Sequence, residues 1–481
     1  MKLKNFNSCF YMVLAASVTI ISCKNEEGDK GIQERPKNVL FIMVDDLRPE
    51  LGCYGERQVH SPNLDRFAAE GIMFQRAYCN VPTCGASRSS CLTGLRPTRH
   101  HFVTHKDWAD TIAPNVTCLS QHFKNHGYYT ISRGKVFHHM EDRSESWDEN
   151  WRPETRYRDY QIPENILMQK EGDRNGPAFE SAPVHDTVYR DGKLANKAIE
   201  DLKRLKEMDM PFFLAVGFFK PHLPFNAPTR YWNLYDHERI RLPQNEFKPI
   251  DAPDEAMHNW GELRSYGNIP REGKCNDSLA RVLIHGYYAA ISYIDVQIGR
   301  VLDALEETGQ AESTMVIIFG DHGWNLREHG LWCKHCNFRT SFRCTVMIKD
   351  PEIKGGKQTD ALIEYIDIYP TLCDLCDLPL PDHLEGESFV PVLKDPMSGG
   401  KKRLICRWRS GFSIKTDQYI YTEWNKSESN IYARMLFNHR VDLDETKNVA
   451  FMPQNEELIE ALSAELHENW GENFNKKGII P

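Results

Sequence analysis

The sequence lacks a basic run. Its 59 Lys and Arg are outnumbered by 68 Asp and Glu, for a formal charge of −9, which excludes binding to nucleic acid or to an anionic membrane surface by bulk charge. It does not exclude a small anionic substrate, for which a local basic pocket suffices. Nor is there an apolar run of spanning length: the stretch Phe10–Ile21 is too short to cross a bilayer. No segment repeats, which removes solenoids and propellers. What the chain has is size: 481 residues, 41% of them apolar, bury a sizeable core and exceed one minimal domain.

Lys2 and Lys4 precede the short apolar run and Ser22-Cys23 follows it, the layout of a secretory signal. Ile20-Ile21-Ser22-Cys23 is similar to a bacterial lipobox. That implies a signal peptide over 1–22, lipid on Cys23 and a polar tether over 23–36, with ordinary signal cleavage nearby as the alternative. Either way the chain is expected outside the cytoplasm, and the lipobox reading makes it a periplasmic or outer-membrane/cell-surface bacterial lipoprotein touching the membrane only through its anchor. Cysteine is plentiful, at 14 residues, and export permits disulfides. Setting aside Cys9, Cys23 and Cys84 leaves an odd number, so at least one thiol stays free or pairs between chains. The C-x-x-C pairs Cys333/Cys336 and Cys373/Cys376 are better read as packed thiols or disulfides than as zinc ligands.

Lys37–Val44 reads KNVLFIMV, a continuous apolar run expected of a buried central strand. Asp45 and Asp46 follow at its C-terminal end, the edge of an open α/β sheet where ligands sit. Ser61-Pro62 opens a helix that Gly71 stops. Cys84 stands at the start of a short helix, whose unpaired N–H groups and dipole favour an anion. A helix over Thr117–His126 and a strand over Tyr128–Ser132 lead to Lys135 and His138. A long helix, about Asp186–Glu207, leads to a strand at Pro211–Phe218 and to His222. Ser278–Thr308 reads as one helix, and the strand Met315–Phe319 ends in Asp321-His322. About Arg143–Pro183, and the stretch from His222 to about Asp277, read as irregular surface insertions. The recurrence of strand, polar residues and helix predicts an α/β sandwich around a large, mainly parallel mixed sheet. Gly/Lys-rich Ser398–Lys402 marks a boundary between a catalytic domain over 37–395 and a smaller α+β subdomain over 396–481. The subdomain is expected to hold strands in ICRWRS, FSIKT and YIYTEW and a helix over Asn455–Trp470.

Two adjacent carboxylates such as Asp45 and Asp46 are costly unless a cation neutralises them. Asp321 and His322 end a second strand and complete the set. Three carboxylates suit a hard, oxygen-seeking divalent ion, Ca²⁺ over Zn²⁺. Imidazole is a poor calcium ligand, so His322 either binds directly or stands behind the carboxylates. His138 and His222 are proton-transfer candidates because imidazole titrates near neutrality. Phe218, Phe219, Leu223 and Phe225 supply a dry wall around His222.

The run Cys84 to Gly94, C-x-A-x-R followed by Leu92-Thr93-Gly94, resembles the signature of type I sulfatases of the alkaline-phosphatase superfamily. Ala86 stands where the commoner form has Pro. VDDLRPELGCYG, GKVFHH, FFKPHLPF, DHGWNLREHGLWCKHCNF and DIYPTL follow in the order of the iduronate-2-sulfatase branch, from Asn38 to about Glu387. SIKTDQYIYTEW and DLDETKNVA extend the likeness to about Ala450. The resemblance implies an alkaline-phosphatase-like sandwich. It implies oxidation of Cys84 to formylglycine (3-oxoalanine) by a formylglycine-generating or anaerobic sulfatase-maturating enzyme. It also implies one Ca²⁺ held by Asp45, Asp46, Asp321, His322 and residue 84, with Lys135 and Lys334 on the nonbridging sulfate oxygens and Arg88 polarising the nucleophile. The implied reaction is a double displacement: the aldehyde hydrate attacks sulfur, His222 protonates the departing oxygen, and His138 takes the proton that lets sulfate leave. The implied substrate is a sulfated oligo- or polysaccharide with uronic acid, glycosaminoglycans and algal ulvan or carrageenan both standing open. Trp324 either contacts the substrate's carboxylate or ring, or belongs to the core. A phosphodiesterase or phosphonate hydrolase would need further ligands, such as Asp367 and His383. A glycan-binding protein without catalysis would lack part of the constellation, and all of it is present.

Overall fold

The computed structural model describes residues 36–425 and 430–469; the expected signal, the Cys23 expected to carry lipid and residues 23–35 of the expected tether lie outside them. Apolar continuity decides the centre of the sheet. In Asn38–Val44 every residue from Val39 on is buried, and the strand pairs in parallel with Phe212–Phe218 on one side and Thr314–Gly320 on the other. All three are covered on both faces, which is why they read as unbroken apolar runs rather than alternating ones. The nine-stranded sheet runs Arg343–Cys344, Ile72–Tyr78, Val346–Lys349, Thr314–Gly320, Asn38–Val44, Phe212–Phe218, Tyr129–Gly134, Glu149–Trp151, with Lys357–Glu364 paired to Ile72–Tyr78. Val346–Lys349 is antiparallel to both neighbours. The sheet is therefore mixed and mainly parallel, as expected.

One group of helices that pack on each other comprises Pro62–Glu70, Arg190–Leu205 and Asp277–Glu307. Another comprises Cys84–Thr93, Leu119–Asn125 and Ile368–Leu375. Asp277–Glu307 is entered through Asn276, whose side chain accepts from Leu279 N at 2.9 Å, a regular N-cap. Gly217 sets one tight junction: a Cβ there would lie 2.0 Å from the Lys135 carbonyl oxygen, so only glycine lets these two strand ends close up.

The segment 143–183 is not irregular. It contributes Glu149–Trp151 to the sheet edge, the helix Pro163–Glu171 and the strand Phe179–Ala182, which pairs with Phe225–Pro228. Polar contacts hold that edge: Tyr129 Oη donates to Glu149 at 2.8 Å, and Arg133 pairs with both Glu149 and Asp201. No apolar periodicity marks such a strand. The C-terminal part forms four antiparallel strands, Arg403–Trp408, Gly411–Thr416, Tyr419–Asn425 and Ile431–Asn438. The helix Glu456–Asn469 closes over them on a core that includes Phe412, Ile414, Tyr421, Leu436, Ile459 and Leu466. The last of the four strands carries no expected pattern, since its residues are mostly half-exposed. Every described cysteine is a free thiol, so the described residues contain no disulfide.

Candidate active site

The tips of two neighbouring strands bring three carboxylates together. Asp45 and Asp46 follow the central strand and Asp321 follows Thr314–Gly320; none is more than 2% exposed. Asp46 turns into the left-handed region (φ 60°) and donates its N–H to Asp321 Oδ1 at 2.9 Å. Oxygens from all three lie within 4.8 Å of one another.

Cys84 is the first residue of the helix Cys84–Thr93, and Ser87 Oγ ties that helix to the Asp321 carbonyl at 2.5 Å. The Cys84 Sγ lies 3.2 Å from His322 Nε2 and 3.8 Å from Asp46 Oδ1. One turn on, the fully buried Arg88 donates through Nε to Asp321 at 2.9 Å and through Nη2 to Asp45 at 3.3 Å. Its Nη1 meets the Lys135 and Val136 carbonyls. Lys135 Nζ reaches Asp45 at 2.6 Å, and Lys334 Nζ reaches the two Asp46 oxygens at 2.9 and 3.1 Å. His222 Nε2 lies 3.0 Å from Glu262 Oε1 and 3.8 Å from Asp46, while its Nδ1 is 2.7 Å from the Leu223 carbonyl. That carbonyl accepts only from a protonated Nδ1, so Nε2 is the nitrogen facing the site. His138 borders the same hollow, its Nδ1 buried without a partner among the described residues and its ring 5.9 Å from that of His105.

Burial alone would raise both strand-tip carboxyls. At Asp45 the charges of Lys135, His222 and Arg88 outweigh it and hold the group well below the usual range; at Asp46 burial wins and the group is raised. Burial and Asp45 push the Cys84 thiol well above its usual value, the reverse of what a cysteine nucleophile requires. Burial and then Lys135 push His138 down to about 2, so its imidazole stays neutral in this site. Asp45, Asp46, Asp321 and Glu262 oppose the fixed cations Arg88, Lys135 and Lys334. That leaves one negative charge in excess, which a dication turns into one positive. The donor set, carboxylate oxygens with an adjacent imidazole, fits a hard divalent ion.

All the residues expected from the sequence thus meet in one place except Trp324, which stands behind it. Trp324 is 1% exposed, lies parallel to Tyr287 at 6.4 Å, and carries the Lys334 ammonium 4.8 Å above its ring. Its place is under the lysine, as support. Asp367 and His383 are elsewhere: Asp367 accepts from Glu364 N and Glu387 N, and His383 bonds the Thr93 carbonyl. Glu262 was not expected. It lies in a short helix, Gly261–Arg264, inside the second apparent insertion, where no motif or periodicity singles it out.

The family model described as Sulfatase matches residues 37–378. The chain belongs to the sulfatase family. A second model, N-sulphoglucosamine sulphohydrolase, C-terminal, matches residues 327–471 of this sulfatase. Mouse iduronate 2-sulfatase is 33% identical over 471 residues, covering 80% of this chain and 84% of its own. An ulvan-active sulfatase of Formosa agariphila is 26% identical, covering 96% of this chain and 86% of its own. Among solved structures, the phosphonate monoester hydrolase of Agrobacterium radiobacter superposes with a TM-score of 0.73 at 21% identity, covering 90% of this chain and 95% of that one. The sulfatase is accordingly a sulfuric ester hydrolase with an alkaline-phosphatase-like fold.

Proposed function

We propose that the sulfatase removes sulfate from a uronic-acid-containing sugar, working outside the cytoplasm with formylglycine at position 84 and one Ca²⁺. The observation that carries this reading is the convergence of Asp45, Asp46, Cys84, Arg88, Lys135, His222, Asp321 and Lys334 on a single hollow. Asp45, Asp46, Asp321 and His322 would hold the ion, which supplies positive charge against the sulfate and the attacking oxygen. The oxidised residue 84 supplies that oxygen in place of a thiol the site keeps protonated. Lys135 and Lys334 bind sulfate oxygens, trading part of their contact with the carboxylates for the substrate. His222, protonated on both nitrogens with Nδ1–H on the Leu223 carbonyl, presents Nε2–H to the departing sugar oxygen and gives it that proton, since an alkoxide is a poor leaving group. His138, neutral and unpartnered, accepts a proton when sulfate is released.

Likeness to an iduronate 2-sulfatase and an ulvan-active sulfatase favours a uronate ring. Protein made with a maturating enzyme is tested by mass spectrometry of the peptide carrying Cys84 and by desulfation of defined oligosaccharides. Formylglycine and release of sulfate from 2-sulfated uronates are expected. Activity with an unmodified thiol overturns the nucleophile, and activity confined to carrageenan oligosaccharides overturns the uronate. Lipidation belongs to the same proposal, supported by the run Phe10–Ile21 before Ser22-Cys23. Metabolic labelling with a fatty acid should be lost in Cys23→Ala.

A further inference from the structure

The chemistry above leaves one part of the rim unused. Between Arg403–Trp408 and Gly411–Thr416 the C-terminal sheet turns through Arg409 and Ser410, and this turn reaches the segment that carries Lys334. The Trp408 ring stacks on His335, the residue after Lys334, with centroids 4.7 Å apart and planes at 25°. Asn337 Nδ2 donates to the Gly411 carbonyl at 3.1 Å. A Cβ at position 411 would lie 2.6 Å from Trp424 Nε1 and 2.8 Å from Asn337 Oδ1, so the turn is clamped from below. Arg407, 2% exposed, donates through Nη2 to the Arg409 carbonyl.

On this support Arg409 is exposed and held at φ 49°, a left-handed conformation that a bulky residue adopts only when its surroundings impose it. Its guanidinium lies 5.7 Å from the Trp408 ring, and no carboxylate pairs with it among the described residues. Around it the rim carries one further fixed cation, Lys106, and three imidazoles that burial keeps neutral. His105 and Lys106 are exposed, and His258 and His335 are half-buried. Of the nearby acids, Glu262 is engaged by His222 and Lys334, and Asp107 is engaged by the Thr104 hydroxyl and the Val103 and Thr104 amides. After burial, Arg409 is the next influence holding His258 down to about 4, so its charge stands close to that ring.

The geometry points to Arg409, presented on the Trp408–His335 stack, as the subsite for a second oxyanion on the sugar that carries the ester. This rests on the sulfated-sugar reading and names the group the enzyme recognises beyond the ester itself. The planar guanidinium fork matches a carboxylate or a sulfate in two parallel hydrogen bonds.

The formylglycine-loaded enzyme tests it by competition against 4-nitrophenyl sulfate. Three disaccharides serve as probes: a 2-sulfated uronate, its carboxyl-reduced form, and the carboxyl-reduced form with a second sulfate on the same ring. The wild type should bind a doubly anionic probe about tenfold tighter than the singly anionic one. Arg409→Ala should erase that ratio and Arg409→Lys should restore part of it. Preference for the first probe or the third identifies carboxylate or sulfate. A ratio that survives Arg409→Ala, an equal weakening of all three probes, or no preference in the wild type overturns the subsite. Inhibition is read whether or not a probe is cleaved, so failure to desulfate the uronate overturns the substrate reading alone.

Discussion

At the scale of single residues, Glu262 is the group whose removal separates two functions. Its Oε1 lies 3.0 Å from His222 Nε2 and 3.1 Å from Lys334 Nζ, and Lys334 and His222 outweigh burial to hold its carboxyl well below the usual range. Glu262→Gln keeps the shape and removes the charge. Weaker sulfate binding through Lys334 should affect every ester alike, whereas a displaced His222 matters only where the leaving oxygen needs a proton. We expect kcat on a sugar sulfate to fall about 10²-fold, and on 4-nitrophenyl sulfate by less than about tenfold. An equal fall on both would assign Glu262 to Lys334 alone. The same residue shows what the sequence conceals. Cys84, Lys135 and His222 stand in stretches whose order is diagnostic, and Asp45-Asp46 advertise themselves as adjacent like charges after a strand. Glu262 reaches the hollow only because a segment without apolar rhythm folds back over it, and charge alone does not distinguish it from the chain's many surface acids.

At the scale of elements, the helix Cys84–Thr93 is fixed by its neighbours more than by its own composition. A Cβ at Gly85 would lie 2.6 Å from the His105 carbonyl oxygen and 2.7 Å from its Cα, backbone that has no rotamer to yield. Gly85→Ala should cost about 1–3 kcal/mol and lower kcat as the start of the helix shifts, visible as a reduced melting temperature with activity lost in parallel. In the C-terminal sheet Lys415 is 1% exposed, with its ammonium on the Thr416 and Asp417 carbonyls. Burial, then Arg76, moves it from 10.5 down to about 7. The unfolded chain therefore binds more protons between those values, and stability rises with pH across that window. Lys415→Met should stabilise by about 1–3 kcal/mol at pH 6, and the gain should shrink toward pH 10, read as the difference in urea midpoint. A gain independent of pH would trace the effect to packing. Apolar strands and capped helices were legible here because their periods are their cause. The edge strand Glu149–Trp151 was not, since ion pairs through Arg133 hold it.

At the scale of the whole molecule, the question is what holds the C-terminal strands to the catalytic sheet, because the turn at Arg409 is useful only if that joint is rigid. Glu364, ending a strand of the large sheet and 1% exposed, is its centre. Arg96 grips it with two nitrogens at 2.5 and 2.7 Å, and Lys401 adds a third contact at 2.6 Å. Asn80 Nδ2 bridges it to the Ile405 carbonyl of the C-terminal sheet, at 2.6 and 2.9 Å. The Gly/Lys-rich stretch beside Lys401 reads as a boundary, yet the described residues form one compact unit, and nothing in that stretch announces the buried carboxylate, contributed from elsewhere in the chain, that fastens the C-terminal strands there. Burial would raise this carboxyl, yet Arg96 and then Lys401 bring it from 4.5 down to about 2. A carboxyl depressed in the folded state contributes stability that is complete above 4.5 and is lost as pH falls toward about 2. Glu364→Gln leaves the half-buried Arg96 without its buried charge partner, while Lys401 keeps Asp367 at 2.6 Å, and should cost about 3–5 kcal/mol at pH 7. The gap between wild type and variant should close as the pH is lowered from 4.5 toward 2, followed by urea unfolding at fixed pH steps. If the gap is as wide at pH 3 as at pH 7, the joint owes its strength to apolar packing, and the ion pair is incidental to it.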